Sequence, residues 1–358
     1  MKLAQNIIIG IALFIFIWFT IEIFNQTDWW GDHIDFEIGS KYGTLIGGIF
    51  SFLSVFLIYL TLKHQTSSFE KSAFENRFFQ LIEYHRRNID EWEYKNPKSS
   101  NEEIISGNKV FISIHREIGE AIQLLKNELN INSLDQILSK ESIDKLKLNK
   151  TIANRKIEIL ELEIINLSYL IVFFGVSKES KPILEKILIK RCEKEKIVPI
   201  LDFFQKIPAV WDQEKYDKYS FQERIKENYH YKYFGGHQQR LGHYFRHLFQ
   251  TVNYCNNSKI LKGQYKIKYE YLKTYRAQFS TYEQSVFTYN SISVLGRIWE
   301  LDQPNKEVNK QLITKYNLIK NIPAEFISEI NLTDFYPNVD YEGYPTLEER
   351  KKLEKLYK

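Results

Sequence analysis

The sequence predicts an all-α protein, with two N-terminal transmembrane helices followed by a helical cytoplasmic domain. Three observations carry this. Two almost uncharged runs near the N-terminus each have about 20 residues, the length a helix needs to cross a hydrocarbon core. Downstream, apolar residues recur at three- and four-residue steps, which is the helical period. No stretch shows repeated alternation bounded by hairpin turn signals, so strands should be few. The chain has 358 residues, 44% hydrophobic and 26% charged, long enough for one large domain or two ordinary ones with ample core. The net charge of +4 is too small to indicate nucleic acid by bulk electrostatics. Cys192 and Cys255 form no CxxC pair and fit a reducing compartment.

The first run, LAQNIIIGIALFIFIWFTIEIF (Leu3 to Phe24), holds one acid, Glu22. It is too long for a signal peptide and lacks a small-x-small cleavage site, and a second span follows closely. That second run, YGTLIGGIFSFLSVFLIYLTL (Tyr42 to Leu62), has no charge. Between them lie Asp28, Asp32, Asp35 and Glu37 against Lys41 alone, whereas Lys63, Lys71, Arg77, Arg86 and Arg87 follow the second run. Basic residues stay inside, so the expected location is a membrane with the N-terminus and the C-terminal part cytoplasmic. Trp29 and Trp30 suit the outer interface. Gly43, Gly47 and Ser51 recur on one helix face and would admit another helix, from the same chain or a second copy.

Beyond the membrane, Phe74, Phe78, Leu81, His85, Ile89 and Trp92 continue the helical period into the cytosol until Asn96-Pro97 breaks it. Val110, Ile114, Ile118, Ala121, Leu125 and Leu129 mark a further helix. SLDQILSKESIDKLKLNK reads as a short helix and a charged connector. Ile152 to Phe174 reads as one apolar helix ending at Gly175, a C-cap; it is too short for a third span. Pro182 opens the next helix, where its missing N–H costs little. Ser280 to Glu283 and Thr346 to Glu349 have capping-box spacing. Lys95 to Asn101 and Trp211 to Tyr233 read as linkers. The expected organisation is an anchor over 1–62, a helical region with a membrane-proximal stalk over 63–210, a signature region over 234–300, and a helical extension over 301–358.

The stretch GGHQQRLGHYFRHLFQ, from Gly235 to Gln250, carries His237, His243 and His247 among Arg240 and Arg246. Leu241, Phe245, Leu248, Val252 and Cys255 form an apolar seam, and Arg240, His243, His247, Gln250 and Tyr254 line an adjacent polar face. Three readings compete. His243 and His247 are one turn apart, as in HExxH zinc sites, but the Glu is missing and Arg246 adds positive charge; no metal and no cofactor is expected. Arg240 and His247 make an Arg-x6-His arrangement similar to the catalytic element of HEPN-type RNases. There His acts as acid or base and Arg stabilises the transition state, although Leu241 stands where such proteins place a polar residue. The third reading is a hydrogen-bond network or partner-binding face. The residues alone leave enzymatic activity open.

GHYFRHLFQTVNY, followed by KYEYLKTYRAQFSTYEQSVFTYN (Lys268 to Asn290), resembles phage abortive infection proteins of the AbiC type. The elements that carry the resemblance are Tyr269, Tyr275, Arg276, Ala277, Gln278, Ser280, Glu283, Tyr289 and Asn290. FENRFFQLIEYH (Phe74 to His85) and YLIVFFG (Tyr169 to Gly175) are similar to upstream elements of that family, and two N-terminal spans are usual in it. Phe279 departs from the usual Leu, and nothing after Trp299 has a counterpart. The resemblance implies bacterial antiphage defence by sensing infection or impairing the infected host, with a phage or host protein as partner. It implies no agreed catalytic mechanism. His237, His243, Arg246, Tyr275, Arg276, Glu283, Tyr289 and Asn290 are the expected binding or network residues. The spacing also allows a plainer part for some of them: Ser280 and Glu283 as a helix cap, Tyr275, Tyr282 and Tyr289 as core. That cap places a break between Arg276 and Glu283.

Overall fold

The computed structural model describes residues 10–11, 14–18, 20–22, 25, 36–95, 104–155, 157–208, 231–303, 307, 310–323, 325–344 and 348–357. They fall into two compact units, Met1–Asn76 and Arg77–Lys358. Helix α1 is Phe36–Asp90. It is the one helix among the described residues long and apolar enough to cross a membrane, and no residue of its apolar window is buried. Phe50, Phe52, Val55, Ile58 and Leu62 stand out from it, as do Gly43, Gly47 and Ser51. The first expected span lies largely outside the described residues. Those described within it are helical, and Phe16 meets Phe50 edge-on with ring centroids 5.5 Å apart. Of the two expected spans, then, the described residues include one helix of sufficient length and apolar character.

In the second unit, the end of α1 buries Phe78, Ile82, His85 and Ile89. α1 stops at Asp90, before the expected Asn96-Pro97 break, which lies outside the described residues. The chain then forms β1 (Glu93–Lys95), paired antiparallel with β2 (Ile104–Ser106). Trp92 drives this turn by burying its ring 4.9 Å from Phe111. Gly107, at φ +59, donates its N–H to the Trp92 carbonyl at 2.9 Å and closes the ladder. A glycine is suited to that left-handed position.

Helix α2 (Lys109–Gln123) follows and runs into a π-helical turn, Leu124–Glu128. The expected charged connector is instead folded, as a 3-10 turn (Leu134–Gln136), α3 (Lys140–Leu148) and α4 (Lys150–Ala153). α5 is Ile159–Phe174, which corrects the expected helix from Ile152: Ile152 belongs to α4. The break has long-range causes, which is why the period does not show it. Asn149 caps α4 through its Oδ1, and Arg155 leaves the helical path to bind Glu300 at 2.7 Å. α5 is buried all round from Leu162 to Phe174, as a core helix should be, and not lipid-facing.

α6 (Lys181–Leu188, with Pro182 in its first turn) and α7 (Lys194–Gln205) complete the first half. Of the linker expected from Trp211 to Tyr233, residues 211–230 lie outside the described residues, and Tyr233 is buried. α8 (Gln238–Asn256), α9 (Tyr265–Arg276) and α10 (Thr281–Ile292) follow. α2, α5 and α10 pack on one another as the centre of the unit. The C-terminal part contributes α11 (Leu312–Tyr316), α12 (Leu332–Phe335) and α13 (Glu348–Leu356); Thr346 of the expected second capping box lies outside the described residues.

Buried charges bind these layers. Glu163 of α5 accepts from Arg297 at 2.8 Å, Arg191 at 2.9 Å and Asn166 at 3.0 Å. Burial opposes its ionisation, yet the two guanidiniums hold its carboxyl below the usual range. Buried Glu300 accepts from Arg155 and from the Thr314 N–H at 2.7 Å. Buried Arg350 donates to the Lys315 carbonyl and the Tyr265 hydroxyl, each at 3.2 Å, which docks α13.

Candidate functional site

The start of the signature is fixed by a close backbone crossing. A Cβ on Gly236 would lie 2.2 Å from the Phe174 carbonyl carbon, and one on Gly175 would lie 2.5 Å from the Gly236 nitrogen. Only glycines allow the chain to pass the end of α5 so tightly. The crossing is stitched by Val176 N–H to the Tyr233 carbonyl at 2.8 Å and His237 N–H to the Val172 carbonyl at 3.2 Å. The middle element YLIVFFG thus positions the first residues of α8. Along α8 the seam Leu241, Phe245, Leu248, Val252 and Cys255 is buried as its spacing predicts. On the polar face His243 and Gln250 are exposed, and Arg240, His247 and Tyr254 are half-buried.

His237, at the N-cap, is fully buried with its Nε2 3.0 Å from Glu117 Oε2 of α2. Tyr94 of β1 donates to the other carboxylate oxygen of Glu117 at 2.5 Å, and its ring lies 4.7 Å from the imidazole. Burial, with Glu117 beside it, pushes the Tyr94 hydroxyl well above its ordinary range. Arg240 sits over the Tyr94 ring at 5.4 Å and donates to the Glu93 carbonyl at 2.5 Å. Hairpin, α2 and signature therefore meet in one Tyr–Glu–His network with an arginine lid.

His247 belongs to a different neighbourhood. Its ring stacks 5.6 Å from His85 of α1, which also lies 4.5 Å from Tyr244 and 5.6 Å from Tyr275. Burial, then His247 and Arg86, lowers the His85 pKa to about 3; burial and Arg77 lower that of His247. Both imidazoles are neutral at pH 7. His85 Nε2 and His247 Nδ1 have no hydrogen-bond partner among the described residues, whereas the Tyr244 hydroxyl lies against the Glu283 carboxyl and the Tyr275 hydroxyl against Thr251. Buried polar atoms without partners are rare in native proteins, and here two imidazole nitrogens share one junction. Burial raises the Glu283 carboxyl; Ser280, Arg86 and Tyr244 offset part of that.

The remaining signature residues hold the fold. Ser280 and Glu283 form the predicted capping box: Glu283 N–H to Ser280 Oγ at 3.2 Å, Ser280 N–H to Glu283 Oε2 at 2.7 Å. As expected, the cap separates α9 from α10. Arg276 donates to the Tyr316 and Asn317 carbonyls at 3.2 and 2.9 Å, closing the end of α11 where Asn317 turns left-handed at φ +51. Asn290 donates to the Tyr169 hydroxyl at 2.9 Å, and the Tyr289 hydroxyl reaches Glu329 at 3.4 Å. His243 and Arg246 project to an open cleft that Asn290 also lines.

The structure thus brings His247, Tyr275 and Glu283 together, and His243, Arg246 and Asn290 together, with His237 and Arg240 in a third group. Sequence reasoning missed His85, Tyr244, Glu117 and Tyr94. His85 carried a signal, as the one polar residue in an otherwise apolar helical stripe. Arg240 and His247 engage different partners, one a backbone carbonyl and a tyrosine ring, the other a histidine ring. Among the described residues no group of three or more His, Cys, Asp or Glu side chains could hold a metal ion.

No curated protein and no solved structure matches the chain. A family model does match, over residues 236–327, so the signature extends past Trp299, where the resemblance found no counterpart, through α11. The match begins at Gly236, where the chain crosses α5, and takes in α8, α9 and α10 with the residues that cap and brace them. Over residues 236–327 the chain is similar to the family described as putative phage abortive infection protein.

Proposed function

We propose that the protein is a membrane-anchored abortive infection protein that acts by binding and conformational change of its helical body, without a reaction of its own. The observation that carries the reading is the family match over 236–327. The non-enzymatic part is supported by the way the signature's charged groups are used. Arg240, His237, Arg276 and Glu283 all hold neighbouring elements together.

The exposed apolar stretch of α1 supports anchoring, and the basic residues that follow it support a cytoplasmic body. His85 and Arg86 lie on the same helix, inside the junction of α1 with α8, α9 and α10. Two unpartnered imidazole nitrogens, of His85 and His247, make that junction a costly one to keep closed. A trigger at the helical body would act there, on the cytoplasmic end of the anchor helix. The phage or host partner binds the body, and the Gly43, Gly47 and Ser51 face lets anchors of separate copies associate.

Alkaline carbonate extraction of expressing cells, paired with phage plating, tests the proposal. The protein should stay with the membrane pellet, and removal of residues 1–62 should release it and restore plaque formation. Release of the full chain into the supernatant, or full protection by the truncated chain, would sink the anchored reading.

A further inference from the structure

The last turns of α1 dock on the body through aromatic rings. Phe78 meets Tyr271 and Tyr275 of α9 edge-on, with centroids 5.5 and 6.4 Å apart. Two turns further on, His85 fills the same face at 1% exposure, 4.5 Å from Tyr244, 5.6 Å from Tyr275 and 6.0 Å from Phe279. Arg86 adds one polar tie, its Nη1 donating to the Gln278 carbonyl at 3.0 Å. An imidazole in such a seat gives up its water, and His85 Nε2 finds no partner among the described residues in return.

The groups around His85 do not favour a proton there. α8 presents Tyr244 and the stacked His247 ring at 5.6 Å, with Arg77 acting on His247 in turn. α9 presents the Tyr275 hydroxyl, which lies against Thr251. α1 itself presents Arg86. α10 presents Glu283, which is already engaged: its Oε2 accepts from the Ser280 N–H at 2.7 Å, and the Tyr244 hydroxyl lies against its carboxyl. Among the described residues His85 has no ion-pair partner. A proton on His85 therefore meets a guanidinium and a second imidazole, with no anion free to match it.

We propose that His85 is a proton switch, whose protonation releases the end of α1 from α8, α9 and α10. The neutral ring stacks in place, whereas the imidazolium needs water and reaches it only when the helix lifts. Burial, then His247 and Arg86, holds the docked group at about 3 against its ordinary 6.5. Release therefore takes up a proton below pH 6.5, and its equilibrium constant rises about tenfold per pH unit. Burial raises the Glu283 carboxyl, which works in the opposite direction. The switch rests on the reading of this junction as the place where the body acts on the anchor helix.

Hydrogen exchange of the full chain in detergent, at pH 7.5 and 5.0 and corrected for intrinsic rates, tests it. A short helix without a packing partner is marginal, so the released segment exchanges. Opening of residues 78–90 should increase by at least about tenfold, toward the roughly thirtyfold that His85 alone supplies over this range. At pH 5.0 that segment should also open at least about tenfold more often than α10, which marks local release and not unfolding of the body. His85→Phe keeps the ring contacts and should cut the increase to about a third or less. If that variant misfolds, the two wild-type measurements decide alone. The proposal is overturned by an increase under tenfold, by equal opening of residues 78–90 and α10, or by a folded His85→Phe chain that responds as the wild type does. Membrane retention and plaque formation are measured apart, so a junction that stays closed at pH 5.0 removes the proton as signal and leaves the anchored reading standing.

Discussion

α8 and α10 come from the same matched segment and both carry many polar residues, but they use them in opposite ways. α8 buries an apolar seam and turns His243, Arg246 and Gln250 outward. α10 is buried at every position from Glu283 to Ile292, polar residues included. Its polar groups are consumed inside the protein. Gln284 accepts from the Asn321 N–H at 3.1 Å, Ser285 meets His115 at 2.7 Å, and Ser291 meets the Tyr336 hydroxyl at 2.6 Å. A polar signature is therefore not by itself a site. In α10 it is the means by which α2, α5 and the C-terminal part are held in register. In α8 the same kind of residue is left at the surface.

If that contrast is right, damage to the buried side should cost far more than damage to the open one. The largest effect is expected at the ion cluster on which the end of α10 rests. Arg297→Met leaves Glu163 with Arg191 as its one cation beside the Asn166 amide and should destabilise by about 3–5 kcal/mol, read as a fall in thermal midpoint. A loss under about 1 kcal/mol would show that solvent reaches this layer.

Next comes the junction between the two helices. His85 is neutral when folded, with its pKa lowered from 6.5 to about 3. The folded state therefore binds fewer protons than the unfolded one below pH 6.5. Its contribution is fully present above pH 6.5 and is lost as pH falls toward about 3. At about 1.4 kcal/mol per pH unit, roughly 2 kcal/mol should disappear by pH 5. His85→Leu should flatten this part of the stability profile; an unchanged slope would remove His85 as its source. Ser280→Ala, which takes away the α10 cap, should cost about 1 kcal/mol in the same assay.

On the open side the expected effects are small or reversed. Gly242→Ala should stabilise by up to about 1 kcal/mol, because α8 gains helix propensity and the methyl meets no backbone. Arg246→Ala should change stability by less than about 0.5 kcal/mol. A large destabilisation by Arg246→Ala would erase the distinction between the two helices.

The contrast also explains what could be read from the residues. The α8 seam was legible because amphipathic spacing is local, and the Ser280 cap because its two partners sit three residues apart. The burial of α10 was not, since a helix buried all round among polar partners leaves no periodic stripe. The break after Ala153 and the hairpin at Glu93 were hidden for a related reason. Arg155 finds Glu300, and Trp92 finds Phe111, only in the folded chain. Of the site, the polar face of α8 could be read directly. Its division into a His237–Glu117–Tyr94 network, a His247–His85 junction and a cleft at Arg246 needed contacts that no spacing encodes.

The central claim is that the signature works without a reaction of its own, and His247 tests it most directly. His247→Gln keeps a polar side chain of similar size but cannot serve as a proton-transfer group. Phage plating on cells expressing this variant, at matched protein level and thermal midpoint, should show protection within about threefold of wild type, a difference under 1 kcal/mol in free-energy terms. Plaque formation restored to the level of cells lacking the protein would contradict the account and return Arg240 and His247 to the position of a catalytic pair.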